Sequence, residues 1–98
     1  MSENEPAAFG VRLRSKRVQR ELDGLVKTDY ERVIARLRNL AVNPRPSGCE
    51  KLQDDIYRLR VGTVRIVYLI DEVNKRIEVG AIRRRTERTY REIGELFK

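Results

Sequence analysis

Three candidate strands lie in succession in the stretch IYRLRVGTVRIVYLIDEVNKRIEVGAIRRR, residues 56–85. Its first two runs alternate in apolar and polar character, the pattern of a half-buried strand. Gly62-Thr63 suits a type II′ hairpin turn, which sets Val61 opposite Val64 and so fixes the register. One face of the hairpin is then a core face, made of Tyr57, Leu59, Val61, Val64, Ile66 and Tyr68.

The opposite face of this hairpin carries three arginines, Arg58, Arg60 and Arg65. The register sets Arg60 directly across from Arg65, and like charges in that position repel on a scale of roughly 0.2–1 kcal/mol. Sequences tend to break local rules at functional sites. The alternative is that both guanidinium groups extend into water at little cost.

The third strand, residues 77–82, extends this arginine cluster. If Ile70 pairs with Ile77, then Ile66 lies opposite Ala81, Arg65 lies opposite Ile82, and Arg84 joins the same face. Gly80 would leave a flat spot there for a ligand backbone. Because planar guanidinium groups bind phosphate in bidentate fashion, the cluster predicts a phosphate site.

Composition narrows the function classes. The 98 residues make one domain of net charge +7, which suggests a polyanionic partner, nucleic acid first, against the alternative of a solubilising surface. The absence of histidine and the single Cys49 exclude an internal disulfide and histidine-based nucleophile pairs, and argue against a zinc site. With no signal sequence or transmembrane run, we expect a cytoplasmic protein. We also expect no cofactor.

The flanking segments predict an α+β fold of one domain, residues 1–98, in which an antiparallel sheet packs with helices. Residues 1–8 read as a flexible leader and residues 9–13 as a first strand beside the meander. Ser15 can cap one helix, and Thr28 with Glu31 forms a capping box for a second, which ends at Asn43-Pro44. We expect this helix hairpin to cover the core face.

The last two segments complete this expected architecture. Residues 47–55 read as a loop that contains Cys49 and Lys51. Residues 86–97 read as a C-terminal helix seated over Val67 and Leu69, the apolar end of the arginine-bearing face.

The hairpin YRLRVGTVRIVY, residues 57–68, resembles the central motif of the RelE/ParE toxins of bacterial type II toxin–antitoxin systems. The Asp71-Glu72 turn, the arginine-rich segment ending in Tyr90 and the order of elements fit the same superfamily. RelE-type members are ribosome-dependent endoribonucleases that cut messenger RNA in the decoding site. ParE-type members share the fold and poison DNA gyrase.

By position in the RelE motif, the resemblance implies that Arg65 stabilises the phosphate, that Arg84 acts as general acid, and that Tyr90 takes part in catalysis. Spacing to Tyr90 favours Arg84 within the arginine triplet. We expect further RNA contacts from Lys51, Arg58, Arg60, Arg83 and Arg85. Attack by the 2′-hydroxyl of RNA on the adjacent phosphodiester needs no metal, which suits this residue set.

The resemblance also implies two partners, the ribosome with its messenger RNA and a cognate antitoxin. We expect the antitoxin segment to carry an apolar helix face and acidic residues, and to compete with RNA for the sheet. Two alternatives stay open, a ParE-type gyrase inhibitor and a non-catalytic module that binds nucleic acid in a salt-dependent way.

Overall fold

The computed structural model describes residues 8–84 and 96–97. The elements are β1 (Gly10–Leu13), α1 (Lys16–Asp23), α2 (Lys27–Val42), β2 (Glu50–Gln53), β3 (Ile56–Val61), β4 (Val64–Asp71) and β5 (Arg76–Arg84). The strands form one five-stranded sheet in the order β1-β5-β4-β3-β2. The α+β class is confirmed, and the predicted meander forms the centre of the sheet as β3, β4 and β5.

The β3–β4 hairpin has the predicted register. Val61 pairs with Val64, and Arg60 pairs with Arg65. Gly62 has a φ of 63°, and Thr63 is not among the described residues with positive φ, as a type II′ turn requires. The whole predicted core face of the hairpin is buried in the main hydrophobic cluster.

The predicted register between β4 and β5 is wrong beyond its first pairs. Ile70 pairs with Ile77 as expected, but a bulge at Gly80 intervenes, so that Tyr68 pairs with Val79 and Val67 pairs with Ala81. A bulge inserts one residue into a strand and reverses the faces of those that follow. Here it turns the large side chain of Ile82 into the core, where it is 1% exposed.

The two edge strands also differ from expectation. β1 pairs with β5 in parallel, so the sheet is mixed. The segment predicted as a loop contains β2, an antiparallel partner of β3. Three of the four β2 residues are exposed. Since an exposed edge strand needs few apolar residues, the sequence EKLQ lacks the apolar alternation that marks a strand.

The helices cover the core face of the sheet as predicted. Their buried contributions to the core are Val18, Leu22, Val33, Leu37 and Leu40. The predicted capping box is wrong, because α2 begins at Lys27 with Val26 as its N-cap, which places Thr28 inside the helix. α1 ends at Asp23 and α2 begins at Lys27, so three residues link the helices. This short link completes the reversal of the chain before Thr28 is reached, which is why Thr28 lies inside α2. Within the described residues, no helix has the length and apolar character needed to cross a membrane.

The segment after α2 is bound to the meander through tyrosines. The Tyr68 hydroxyl donates to the Pro44 carbonyl oxygen at 2.8 Å, and Nε of Arg45 donates to the Tyr57 hydroxyl at 3.0 Å. Burial raises the pKa of the Tyr68 hydroxyl well above its ordinary value. These contacts hold the chain that leads into β2 against the core.

Candidate nucleic-acid interface

The sheet face opposite the helices carries a row of arginines across three adjacent strands. Arg60 on β3 pairs with Arg65 on β4, and Arg65 pairs with Arg83 on β5. Directly opposite residues share a face, with Cβ atoms about 4.5–5.5 Å apart. We define the arginine face as the side of the sheet that carries Arg58, Arg60, Arg65 and Arg83.

Two members of the arginine face are largely buried, since Arg58 is 9% exposed and Arg65 is 8% exposed. Arg58 pairs in register with Glu50 on the edge strand β2, and its Nη2 lies 2.9 Å from Oε2 of Glu50. This ion pair joins the arginine face to the edge strand β2. Sequence reasoning missed Glu50 because it fell in the segment predicted as a loop.

Arg83 is bound to helix α1. Its Nε donates to Oε2 of Glu21 at 2.6 Å, and the backbone N–H of Ile82 donates to Oε1 of the same residue at 3.1 Å. Glu21 was not predicted as a site residue. The pair joins residues 62 positions apart, so no local pattern in the sequence indicates it.

The remaining predicted site residues lie elsewhere or outside the described part of the chain. Arg84 is exposed and pairs with Val64, a core residue, so its side chain begins on the helix side of β5. Its predicted placement beside Arg65 is therefore wrong, and Arg83 occupies that position. Lys51 is exposed and pairs with Tyr57, again a core-face residue. Arg85 and Tyr90 lie outside the described residues.

An apolar cluster occupies the other half of the arginine face. It contains Ile56, Val67, Ala81 and Leu96, with Leu52, Leu69 and Phe97 packed against it. The predicted seat of the C-terminal segment over Val67 and Leu69 is confirmed for Leu96 and Phe97, and the rest of that predicted helix lies outside the described residues. The basic half of the face is therefore bordered on one side by closely packed apolar side chains.

Gly80 does not provide the predicted flat spot for a ligand. A Cβ atom at Gly80 would lie 2.6 Å from Cζ of Phe97, so the aromatic ring already fills the space above the glycine. The candidate phosphate site is therefore restricted to the basic half of the face, away from Gly80.

A second concave region lies on the helix side, between β1 and the two helices. This cleft has a volume of about 400 Å³ and is lined mostly by apolar side chains such as Leu22, Ile34 and Leu37. Among the described residues that line the cleft, Arg12 and Arg38 are the charged ones.

Comparison with known families gives one match over most of the chain. The family model of the ParE toxin of type II toxin–antitoxin systems, parDE, matches residues 13–89. No similar sequence was found among curated proteins.

The fold is similar to those of solved RelE toxins. The archaeal RelE–RelB complex from Pyrococcus horikoshii OT3 is 24% identical with a TM-score of 0.70, over 82% of this chain and 98% of that one. A mutant E. coli RelE in the free state is 18% identical with a TM-score of 0.76, over 90% and 96%. The RelBE2 toxin–antitoxin complex of Mycobacterium tuberculosis is 21% identical with a TM-score of 0.69, over 80% and 99%. At these identities the likeness shows the fold.

Proposed function

This chain belongs to the family of ParE toxins of type II toxin–antitoxin systems, and we propose that it acts by cutting messenger RNA held on the ribosome. The RNA lies across the basic half of the arginine face. Cleavage follows from attack of a 2′-hydroxyl on the adjacent phosphodiester, and it uses no metal.

The observation that carries this proposal is the row of Arg60, Arg65 and Arg83 on neighbouring strands. Three cations in direct lateral register concentrate positive charge on one patch of the face, which attracts anions. Guanidinium groups are the side chains best suited to phosphate, because their planar donors match two phosphate oxygens at once. A polyanionic backbone is the ligand that such a row fits.

The chemistry expected of this face is charge stabilisation and alignment. Clustered guanidinium groups stabilise the phosphorane that forms during 2′-hydroxyl attack, and the low exposure of Arg65 strengthens its electrostatic effect. Arginine stays protonated, so it cannot serve as the general base. We assign the proton transfers, from the attacking 2′-hydroxyl and to the leaving oxygen, to the RNA itself and to Tyr90. An arginine of the 83–85 run stabilises the negative charge that develops on the leaving oxygen.

An antitoxin is the second partner in this proposal. Its acidic and apolar segment covers the arginine face and competes there with RNA. The basic half of the face attracts the acidic residues of such a segment. The segment's apolar residues replace Leu96 and Phe97 on the apolar half, where those two side chains pack in the free protein. The solved RelE toxins that resemble this fold include complexes with the antitoxin RelB. Co-expression with the product of the adjacent gene, followed by salt-dependent release of a complex, tests this part.

Cleavage is tested by primer extension on messenger RNA in an in vitro translation reaction. Wild-type protein should give cuts at ribosome-occupied codons. Arg60→Ala removes an exposed guanidinium from the face, and loss of a charge-assisted hydrogen bond worth about 1.5–3 kcal/mol should lower cleavage by about tenfold or more. Arg20→Ala removes the same charge from an exposed position on α1, and should cut as the wild type does.

A second candidate function is inhibition of DNA gyrase, which the match to the ParE family model favours. It predicts strong inhibition in a supercoiling assay and no cuts in the translation reaction. That pair of results would replace the nuclease proposal. Cuts on messenger RNA without inhibition of gyrase would exclude this second candidate.

A further inference from the structure

The bulge at Gly80 decides which arginine of the run 83–85 shares a face with Arg65. Because Val79 and Ala81 pair with consecutive residues of β4, the residues of β5 from Ala81 to Arg84 face the side opposite to that expected from simple alternation. Arg83 therefore stands directly across from Arg65. Arg84 stands across from Val64, whose side chain is completely buried beneath the helices.

Helix α1 takes the place of a neighbouring strand along this part of β5. β1 pairs with β5 only as far as Val79, whose carbonyl oxygen accepts from the Arg14 N–H at 2.9 Å. Beyond that point, Nη2 of Arg17 donates to the Gly80 carbonyl oxygen at 2.8 Å, and Glu21 accepts from the Ile82 N–H. The edge of β5 that leads to Arg83 is thus ordered by α1 side chains.

Glu21 is itself held in a single orientation. Its Oε2 accepts from Nη1 of Arg17 at 3.0 Å as well as from Nε of Arg83, while its Oε1 accepts from the backbone of β5. The carboxylate is only 18% exposed. A guanidinium bound through Nε to such a fixed carboxylate has its plane set, and its Nη groups form the end of the side chain that a phosphate meets.

We propose that Arg83 is the member of the arginine triplet that acts with Arg65 on the scissile phosphate, and that Glu21 is its positioning residue. The inference rests on the proposed nuclease function and names the site's geometry more closely. Glu21 also offsets the repulsion between Arg83 and Arg65, so that the pair can stand in register before RNA binds. Glu21 acts through Arg83 and does not touch the RNA.

Steady-state kinetics of messenger-RNA cleavage on the ribosome tests the assignment. Loss of a preorganised donor to developing charge typically costs about 10²–10³ in kcat, and Arg83→Ala should show such a loss, at least about tenfold larger than that of Arg84→Ala. Glu21→Gln keeps an oxygen that accepts from the Ile82 N–H but removes the negative charge that holds Arg83. It should therefore lower kcat by about 10- to 100-fold with little change in KM. Arg20→Ala, one residue away on α1, is the matched control and should leave both constants unchanged.

A double variant separates positioning from general loss of structure. If Glu21 works through Arg83, then Glu21→Gln combined with Arg83→Ala should cut no more slowly than Arg83→Ala alone. Independent, multiplying losses would overturn the positioning role. A larger loss in Arg84→Ala than in Arg83→Ala would overturn the choice of arginine.

An NMR measurement distinguishes failure of the inference from failure of the proposed function. The Nε–H of Arg83 should exchange slowly with solvent in the wild type and faster in Glu21→Gln. Equal exchange in the two proteins would refute the positioning contact whatever the protein's activity. Slow exchange in a wild-type protein that leaves messenger RNA intact would instead refute the nuclease function, and with it the role of Arg83 in cleavage.

Discussion

Gly80 offers the sharpest test of the packing on the arginine face. In Gly80→Ala, the new methyl group would lie 2.6 Å from Cζ and 2.8 Å from Cε1 of Phe97. Carbon atoms normally approach to about 3.5–4.0 Å, so the ring must move by about 1 Å or leave its place over the sheet. We therefore expect the variant to be less stable than the wild type.

The magnitude follows from two opposing effects. Overpacking of a filled site costs about 1–3 kcal/mol. Replacement of glycine by alanine restricts the unfolded chain and offsets about 0.4–1 kcal/mol of that cost. The free energy of unfolding should fall by about 1–2 kcal/mol, and for a domain of this size the melting temperature should fall by roughly 4–8 °C for each kcal/mol.

Urea unfolding of four variants measures this effect. Gly10→Ala makes the same chemical change on β1. Apart from its chain neighbours, no atom of the described residues lies within 4 Å of the new methyl group there, so stability should be unchanged or slightly raised. Phe97→Ala removes the ring, and in that background Gly80→Ala should cost almost nothing. The reasoning would be refuted if Gly80→Ala were as stable as Gly10→Ala, or if its cost persisted without the ring of Phe97.

Three further predictions concern contacts away from the arginine face. The raised pKa of Tyr68 favours the neutral phenol in the folded protein. The free energy of unfolding should therefore fall as the pH rises above about 10, the ordinary pKa of tyrosine. Urea unfolding between about pH 8 and 11 should show a smaller fall for Tyr68→Phe than for the wild type. Hydrogen bonds from Asn74 hold the pKa of Asp71 below its ordinary value, so an NMR titration should find it lowered in the wild type and moved back towards normal in Asn74→Ala. Arg45 donates to Tyr57 and lies 5.2 Å from its ring; Arg45→Met should lower the free energy of unfolding by about 1 kcal/mol in thermal unfolding, whereas an unchanged midpoint would show that the contact does not persist in solution.

Much of the fold could be predicted because it rests on local patterns. Alternation in residues 56–70 and the turn at Gly62-Thr63 define the hairpin, and helical spacing of apolar residues defines α1 and α2. The arginines on β3 and β4 were predicted as neighbours for the same reason, since a two-residue turn determines every pair in the hairpin. The exposed strand β2 carries no such pattern and was missed.

The sequence by itself determined the hairpin, its core face and the row of basic residues on its other side, because alternation and turn chemistry act over a few residues. Only the tertiary structure decided which arginine stands beside Arg65. A bulge at Gly80 reverses the faces of β5, and its place depends on Ile82 entering a core built by distant helices. The same holds for Glu21 and Glu50, which reach their arginines only after α1 and β2 dock on the sheet. Contacts of that kind depend on packing between elements, and no pattern within either element contains them.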